Sequence, residues 1–216
     1  MSKLAIQTVL SAYASGVFPM SESADDPEIF WVEPEIRGVL PLNNIHISRS
    51  LAKTVRADKF TVRCDSDFAG VIEGCAAPAP DRRSTWINVT IRDIFGELFD
   101  LGVVHTVECW QGAELVGGLY GIALAGAFFG ESMFSRRSDA SKVALVHLVA
   151  RLKAGGFTLL DTQFTTPHLE TLGVIEVPRD TYQKLLASAL DVHGKFGVLP
   201  SEISGTVALQ SITQTS

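Results

Sequence analysis

Cysteine is scarce in this chain: only Cys64, Cys75 and Cys109 occur, an odd number with no CxxC spacing. That argues against a disulfide framework or a zinc knuckle and for reduced thiols in a cytoplasmic protein. The five histidines are scattered without ligand spacing, so no metal centre is expected. Long apolar runs are missing as well. The longest uncharged run, Leu115 to Gly130, holds 16 residues and five glycines, short of the roughly 18 to 20 that a spanning helix needs, so no membrane association is expected. The N-terminal MSKLAIQTVLSAYASG lacks a long apolar core before a small-residue cleavage site, so no export signal is expected. Positive charge is not in excess: 18 Lys and Arg face 24 Asp and Glu, for a formal net charge of -6. This argues against nonspecific coating of nucleic acid but leaves room for a local basic patch.

What is present suits one sizeable core, or a small subdomain packed on a larger one: 216 residues, 46% hydrophobic and 19% charged. Residues 3 to 15 read as an amphipathic helix stopped by Gly16 and Pro19. Prolines 19, 27, 34 and 41 then predict loops and short strands to Leu42. Ser48 is an expected N-cap for a helix to Arg56, FTVRC (60 to 64) alternates like a strand, and Ser66 is expected to cap a helix through Cys75. After the breaker-rich APAPDRRST, Asn88 caps a helix to about Leu101. HTVECW, LVGGLYGIAL and AFFGESMF, separated by turn residues, predict a three-stranded antiparallel meander. Residues 139 to 153 place Val143, Leu145, Val146, Val149 and Leu152 on one helical stripe. The strand FTLLDTQF follows, then LGVIEVP and a helix from about Arg179 to Leu190. The expected division is a small N-terminal subdomain (1–44), a catalytic domain (45–190) and a C-terminal tail (191–216).

Strand alternation aligns Phe129, Glu131 and Met133 against Phe128, Ser132 and Phe134, and puts Phe157, Leu159, Asp161 and Gln163 on one face. Two readings stay open. Glu131 and Asp161 converge if their strands are neighbours, or Asp161 ends a strand while Glu131 pairs with Arg136 or Arg137.

The order of meander, helix and strand resembles the core of the GNAT acyltransferases, an α+β fold. Acyl-CoA members of that group carry a glycine-bearing phosphate cradle before the helix. Here that loop reads SRRSDAS and has no glycine. This disfavours coenzyme A, while Arg136 and Arg137 leave an anion site open.

Ordered motifs then cover residues 12 to 190: AYASGVFPM (12–20), FWVEPEIRGVLPL (30–42), HISRSL (46–51), VIEGCA (71–76), TWI (85–87), ELVGGLYG (114–121), FGESMFSR (129–136), ASK (140–142), LDTQ (160–163) and EVPRDTY (176–182). With these the chain resembles the bacterial leucyl/phenylalanyl-tRNA-protein transferases. The resemblance implies transfer of Leu or Phe, sometimes Met, from aminoacyl-tRNA to the α-amino group of proteins with N-terminal Lys or Arg, without cofactor or metal, creating a degradation signal. It places Gln163, with Asp161 behind it, at the reacting amine, and Glu131 in the same acceptor site. It maps the donor side-chain pocket to Leu119, Phe128, Leu145 and Leu160, and stacking on the tRNA 3′ end to Trp86. Each of these apolar residues also fits simple core packing. Arg49, Lys53, Arg56, Lys59 and Arg63 form a tRNA-phosphate patch, helped by Arg82 and Arg83, or else a solvated helix face. Three departures concern the N-terminal side. Longer members of the family begin with a LALGGDLS-like segment that this chain lacks, many have FPW where this chain has FPM, and Phe30 replaces a frequent tryptophan while Trp31 is retained. Two rivals stand beside this reading: an acyl-CoA-dependent N-acetyltransferase, and a catalytically silent tRNA or N-degron binding protein.

Overall fold

The computed structural model describes residues 5–78 and 84–213. Helix α1 (Ile6–Ala14) ends just before Gly16, which takes φ +81°, a left-handed conformation that costs glycine little. A Cβ at Gly16 would also lie 2.7 Å from Gln183 Nε2. Strands β1 (Phe18–Met20) and β2 (Phe30–Val32) make a separate ribbon with Met20 opposite Phe30 and Pro19 opposite Trp31. Strand β3 (Ile36–Val39) leaves this ribbon for the main sheet.

Helix α2 (Arg49–Arg56) starts at Ser48, whose side chain accepts the Leu51 N–H as the sequence predicts. Strand β4 (Thr61–Cys64) leads to α3 (Phe68–Ala76), capped by Asp67 rather than by Ser66. Ser66 turns instead toward buried Glu108, which accepts the backbone N–H groups of Ser66 at 2.8 Å and Asp67 at 2.9 Å. Asp67 is thereby left to receive the Gly70 N–H. Helix α4 (Val89–Asp100) is capped by Asn88 as expected.

The meander follows as β5 (Val104–Gln111), β6 (Glu114–Leu124) and β7 (Ala127–Ser135). Helix α5 (Ala140–Ala154) then crosses to β8 (Leu159–Gln163), which runs parallel to β7. After the short α6 (Pro167–Glu170) come β9 (Ile175–Pro178), α7 (Arg179–Leu190), a 3₁₀ turn (Phe196–Val198) and α8 (Gly205–Thr213). Seven strands form one mixed sheet in the order β4-β5-β6-β7-β8-β3-β9. The chain is α+β.

Two apolar clusters cover the sheet. One gathers residues of α1, α3, α4 and α7, the other those of α2 and α5. The predicted single stripe on α5 is too narrow, because its residues are buried almost without a break from Ala140 to Leu152. Gly117 lets α5 approach the sheet closely: a Cβ there would stand 2.5 Å from that of Ala140. The opposite side of α5 is covered by the C-terminal segment, through Phe196, Leu209 and Ile212 and through Arg151, which donates to the carbonyls of Leu199 and Ser201 at 3.0 Å each.

Strand β7 carries a bulge. Tyr120 faces Ser132 but Gly121 faces Gly130, so Glu131 is the extra residue. One inserted residue reverses the phase of alternation beyond it. Phe134 therefore joins the cluster that holds Phe129, and Met133 packs against the one that holds Phe128. The expected alignment of Phe129, Glu131 and Met133 is broken for that reason. Phe157 likewise departs from the face predicted for it. It precedes β8 and packs in the cluster opposite to that of Leu159.

Candidate active site

A cleft of about 910 Å³ opens beside the ends of β7 and β8. Of the residues singled out in the sequence, Glu131, Gln163, Trp86, Leu119, Leu145, Leu160 and Arg136 line it together. Met133, Leu148 and Met20 line it as well, without having been expected there. Met133 reaches it because of the bulge, and Leu148 because it stands one helical turn from Leu145. Phe128 and Asp161 are fully buried and lie outside the lining. Phe128 is opposite Leu160 in the β7/β8 register, so it stands beside a residue of the wall in the same apolar cluster, and it stacks on Phe196.

The predicted convergence of carboxylates occurs, but through intermediaries. Gln163 Nε2 donates to Glu131 Oε1 at 2.9 Å, and the Tyr13 hydroxyl donates to the same oxygen at 2.7 Å. Glu131 Oε2 has no hydrogen-bond partner among the described residues. Asp161 is engaged from three directions. Arg37 Nη2 donates to Oδ2 at 2.7 Å and Arg37 Nε to Oδ1 at 3.0 Å. The Tyr182 hydroxyl donates to Oδ2 at 2.6 Å, and the Gln163 backbone N–H to Oδ1 at 2.7 Å. Arg37 also donates to the Gly16 carbonyl at 2.9 Å, and its guanidinium lies over the rings of Phe18 and Tyr182.

Burial pushes the Glu131 carboxyl up to about 8, against the hydrogen bonds from Tyr13 and Gln163 that favour its charged form. Burial and the adjacent Glu131 hold the Tyr13 phenol well above its usual range. Burial and then Asp161 do the same for Tyr182. For Arg37 burial works against the charge, but the hydrogen bond and charge of Asp161 outweigh it and the guanidinium is stabilised. The alternative pairing of Glu131 with Arg136 or Arg137 does not form. Arg136 donates to the Leu115 carbonyl at 3.0 Å, and Arg137 pairs with Glu114 at 3.3 Å.

The glycine-free loop turns at Asp139, which takes φ +70°, before α5 begins. Trp86 is half-buried at the cleft wall, and its carbonyl accepts from Ser21 Oγ at 2.7 Å. The basic residues Arg49, Lys53, Arg56, Lys59 and Arg63 are all exposed, and none lines this cleft. Arg63 pairs with Glu202 at 3.4 Å. Arg82 and Arg83 lie outside the described residues.

Tyr13, Arg37 and Tyr182 fall within the sequence motifs without an expected role. The signal was present for Arg37: in IRGV it alternates inward, beside buried Val39, at a position where an arginine needs a partner. Nothing local in the sequence marks Tyr13 or Tyr182, whose partners lie 118 and 21 residues away.

Comparison with known proteins identifies the family. The profile described as leucyl/phenylalanyl-tRNA protein transferase matches residues 39–187, and that of the N-terminal domain of the same family matches residues 2–35. A leucyl/phenylalanyl-tRNA–protein transferase of Maricaulis maris is 57% identical over 210 residues, 97% of each chain. One of Rhodopseudomonas palustris is 56% identical over 216 residues, 99% of this chain and 96% of the relative. One of Rhodospirillum rubrum is 57% identical over 198 residues, 92% and 93% of the two chains. Matched along nearly its whole length, this chain belongs to the leucyl/phenylalanyl-tRNA–protein transferase family.

Proposed function

We propose that the protein is an aminoacyltransferase that moves Leu or Phe from aminoacyl-tRNA to the α-amino group of proteins beginning with Lys or Arg, marking them for degradation. The observation that carries this reading is the cleft itself, in which Gln163 and Glu131 stand beside an apolar wall of Leu119, Leu145 and Leu160.

The reaction makes modest demands. The amine nitrogen attacks the ester carbonyl carbon, an amide C–N bond forms, the ester C–O bond breaks, and the ribose hydroxyl leaves with the proton the amine gives up. An α-amino group has a pKa of about 7.7 to 8, so roughly 10 to 20% is already neutral at pH 7. Positioning is therefore the main contribution asked of the protein. The Gln163 carbonyl oxygen can accept an amine N–H and aim the nitrogen lone pair, whereas its amide is no useful Brønsted base. Glu131 lines the cleft, and in its ionised form its carboxylate suits a cation, either the terminal ammonium or the Lys/Arg side chain. The Leu or Phe side chain of the donor fits the leucine wall, with Phe128 packed beside Leu160. Trp86 offers an aromatic face to the terminal adenosine, an interaction worth about 1 to 3 kcal/mol per base. The exposed run from Arg49 to Arg63 suits tRNA phosphates.

The meander β5–β7, the crossover α5 and the parallel strand β8 support reading the core as GNAT-like, with the glycine-free loop favouring charged tRNA over coenzyme A. Cys64, Cys75 and Cys109 are buried free thiols, which supports a cytoplasmic setting. No helix among the described residues is long and apolar enough to cross a membrane. The direct test supplies labelled Phe-tRNA and a peptide beginning with Arg. Label should enter the peptide, and failure to do so while tRNA still binds would favour a silent binder.

A further inference from the structure

We infer that Arg37 is a positioning residue for the transfer reaction: by clamping Asp161 it locks the backbone turn that presents the Gln163 amide to the cleft. The inference rests on the reading of Gln163 as the group that orients the attacking amine.

Strand β8 ends abnormally. Gln163 has φ +62°, a left-handed conformation unusual for a residue with a side chain. The Phe164 N–H donates to the Thr162 carbonyl at 2.7 Å, closing a three-residue turn around Gln163. Turns of this kind with positive φ are rare and strained, and they persist only where the surroundings over-determine them. Here the local restraint is Asp161, whose Oδ1 accepts the Gln163 N–H at 2.7 Å. A carboxylate bound to a single amide would be free to rotate away. Asp161 is not, because Arg37 grips both of its oxygens and Tyr182 adds a donor to Oδ2.

Arg37 is itself held on every side. Its Nη1 donates to the Gly16 carbonyl at the end of α1, and its guanidinium carbon lies over the rings of Phe18 and Tyr182, 4.6 and 4.5 Å from their centroids. The clamp so formed joins α1, β3, β8 and α7. With donors directed at both oxygens, Asp161 has no lone pair open for a proton from the amine, so it acts through the shape of the turn and not as a proton acceptor. The bidentate fork is specific to arginine, and lysine would supply the charge without the fork.

The experiment is a double-substitution cycle on the full chain with Phe-tRNA and an Arg-starting peptide, following kcat and KM for each substrate. Arg37→Lys should lower kcat about tenfold with KM for charged tRNA nearly unchanged, and in a Gln163→Ala background it should cost less than about twofold. Equal losses in both backgrounds would overturn the inference, as would full activity of Arg37→Lys. Should Arg37→Lys fail to fold, Tyr182→Phe removes one donor to Asp161 in the same cycle and must show the same non-additivity. An unimpaired Gln163→Ala parent overturns the underlying role of Gln163, and with it the inference. A slowed Gln163→Ala with additive Arg37→Lys overturns the role of Arg37 alone.

Discussion

Gln163 Nε2 donates to Glu131 Oε1 at 2.9 Å, joining residues 32 positions apart on parallel neighbouring strands. The β7/β8 register keeps that same offset along its length, pairing Ala127 with Leu159 and Phe129 with Asp161. Two local irregularities bring the side chains together within that register: the bulge at Glu131 and the left-handed turn at Gln163. The side chain proposed to orient the amine thus lies against the carboxyl proposed to meet the acceptor's cation.

Gln163→Ala removes the oriented amide. Transfer should slow about 10- to 100-fold while charged-tRNA affinity changes less than about twofold, since misplacing a reacting group costs rate more than binding. Single-turnover transfer beside a filter-binding titration checks both, and matching losses in each would contradict the assignment.

Glu131 gives a pH signature. Its folded pKa of about 8 lies above the ordinary 4.5, so the folded protein binds the additional proton between these values. The stability contributed by that protonated form is fully present below about pH 4.5 and is lost as pH rises through about 8. Glu131→Gln keeps the neutral shape and should be more stable than the parent in thermal unfolding above about pH 8, with the gap closing on acidification. Where the bound cation is the Lys/Arg side chain, which stays charged over this range, the acceptor KM of the parent should fall as pH rises through about 8, because that cation binds the ionised carboxylate. In Glu131→Gln that component of the pH dependence should vanish.

Phe128 lies beside the wall of the cleft and is fully buried. Phe128→Ala should cost about 3 to 5 kcal/mol of folding stability, read by denaturant unfolding. Its effect on donor binding should follow from loosening Leu160. By contrast, Leu145→Phe narrows the cleft directly and should raise the preference for Leu over Phe about tenfold in kcat/KM, checked by competition between the two charged tRNAs.

The exposed basic face should make tRNA binding salt-dependent. Arg49→Gln, Lys53→Gln and Arg56→Gln should each lower the slope of log K against log salt by about 0.7 to 0.9 for every phosphate that is no longer neutralised. Arg63→Gln should change it less, because Glu202 already faces Arg63 at 3.4 Å. Binding insensitive to salt would contradict the phosphate role.

Much of the fold was legible because its signals are local. Ser48 and Asn88 announce their helices by side-chain capping, and the meander shows itself through turn residues between apolar runs. Ser66 misled because a tertiary acceptor, Glu108, competed for it. Alternation failed at Glu131 because a bulge leaves no mark in residue type that period-2 patterning detects.

By itself the sequence determined the α+β class and most helix starts, which follow from backbone preferences within short windows, and the family resemblance, which rests on ordered motifs and singled out Glu131, Asp161 and Gln163 as candidates. Tertiary structure alone decided that Tyr13 and Gln163 share Glu131 Oε1, that Arg37 and Tyr182 hold Asp161, and that Met133 and not Phe128 faces the cleft. The physical reason is that buried charges take whichever donors packing brings within about 3 Å, and packing joins helix α1 to strand β7 across 118 residues that no local pattern spans.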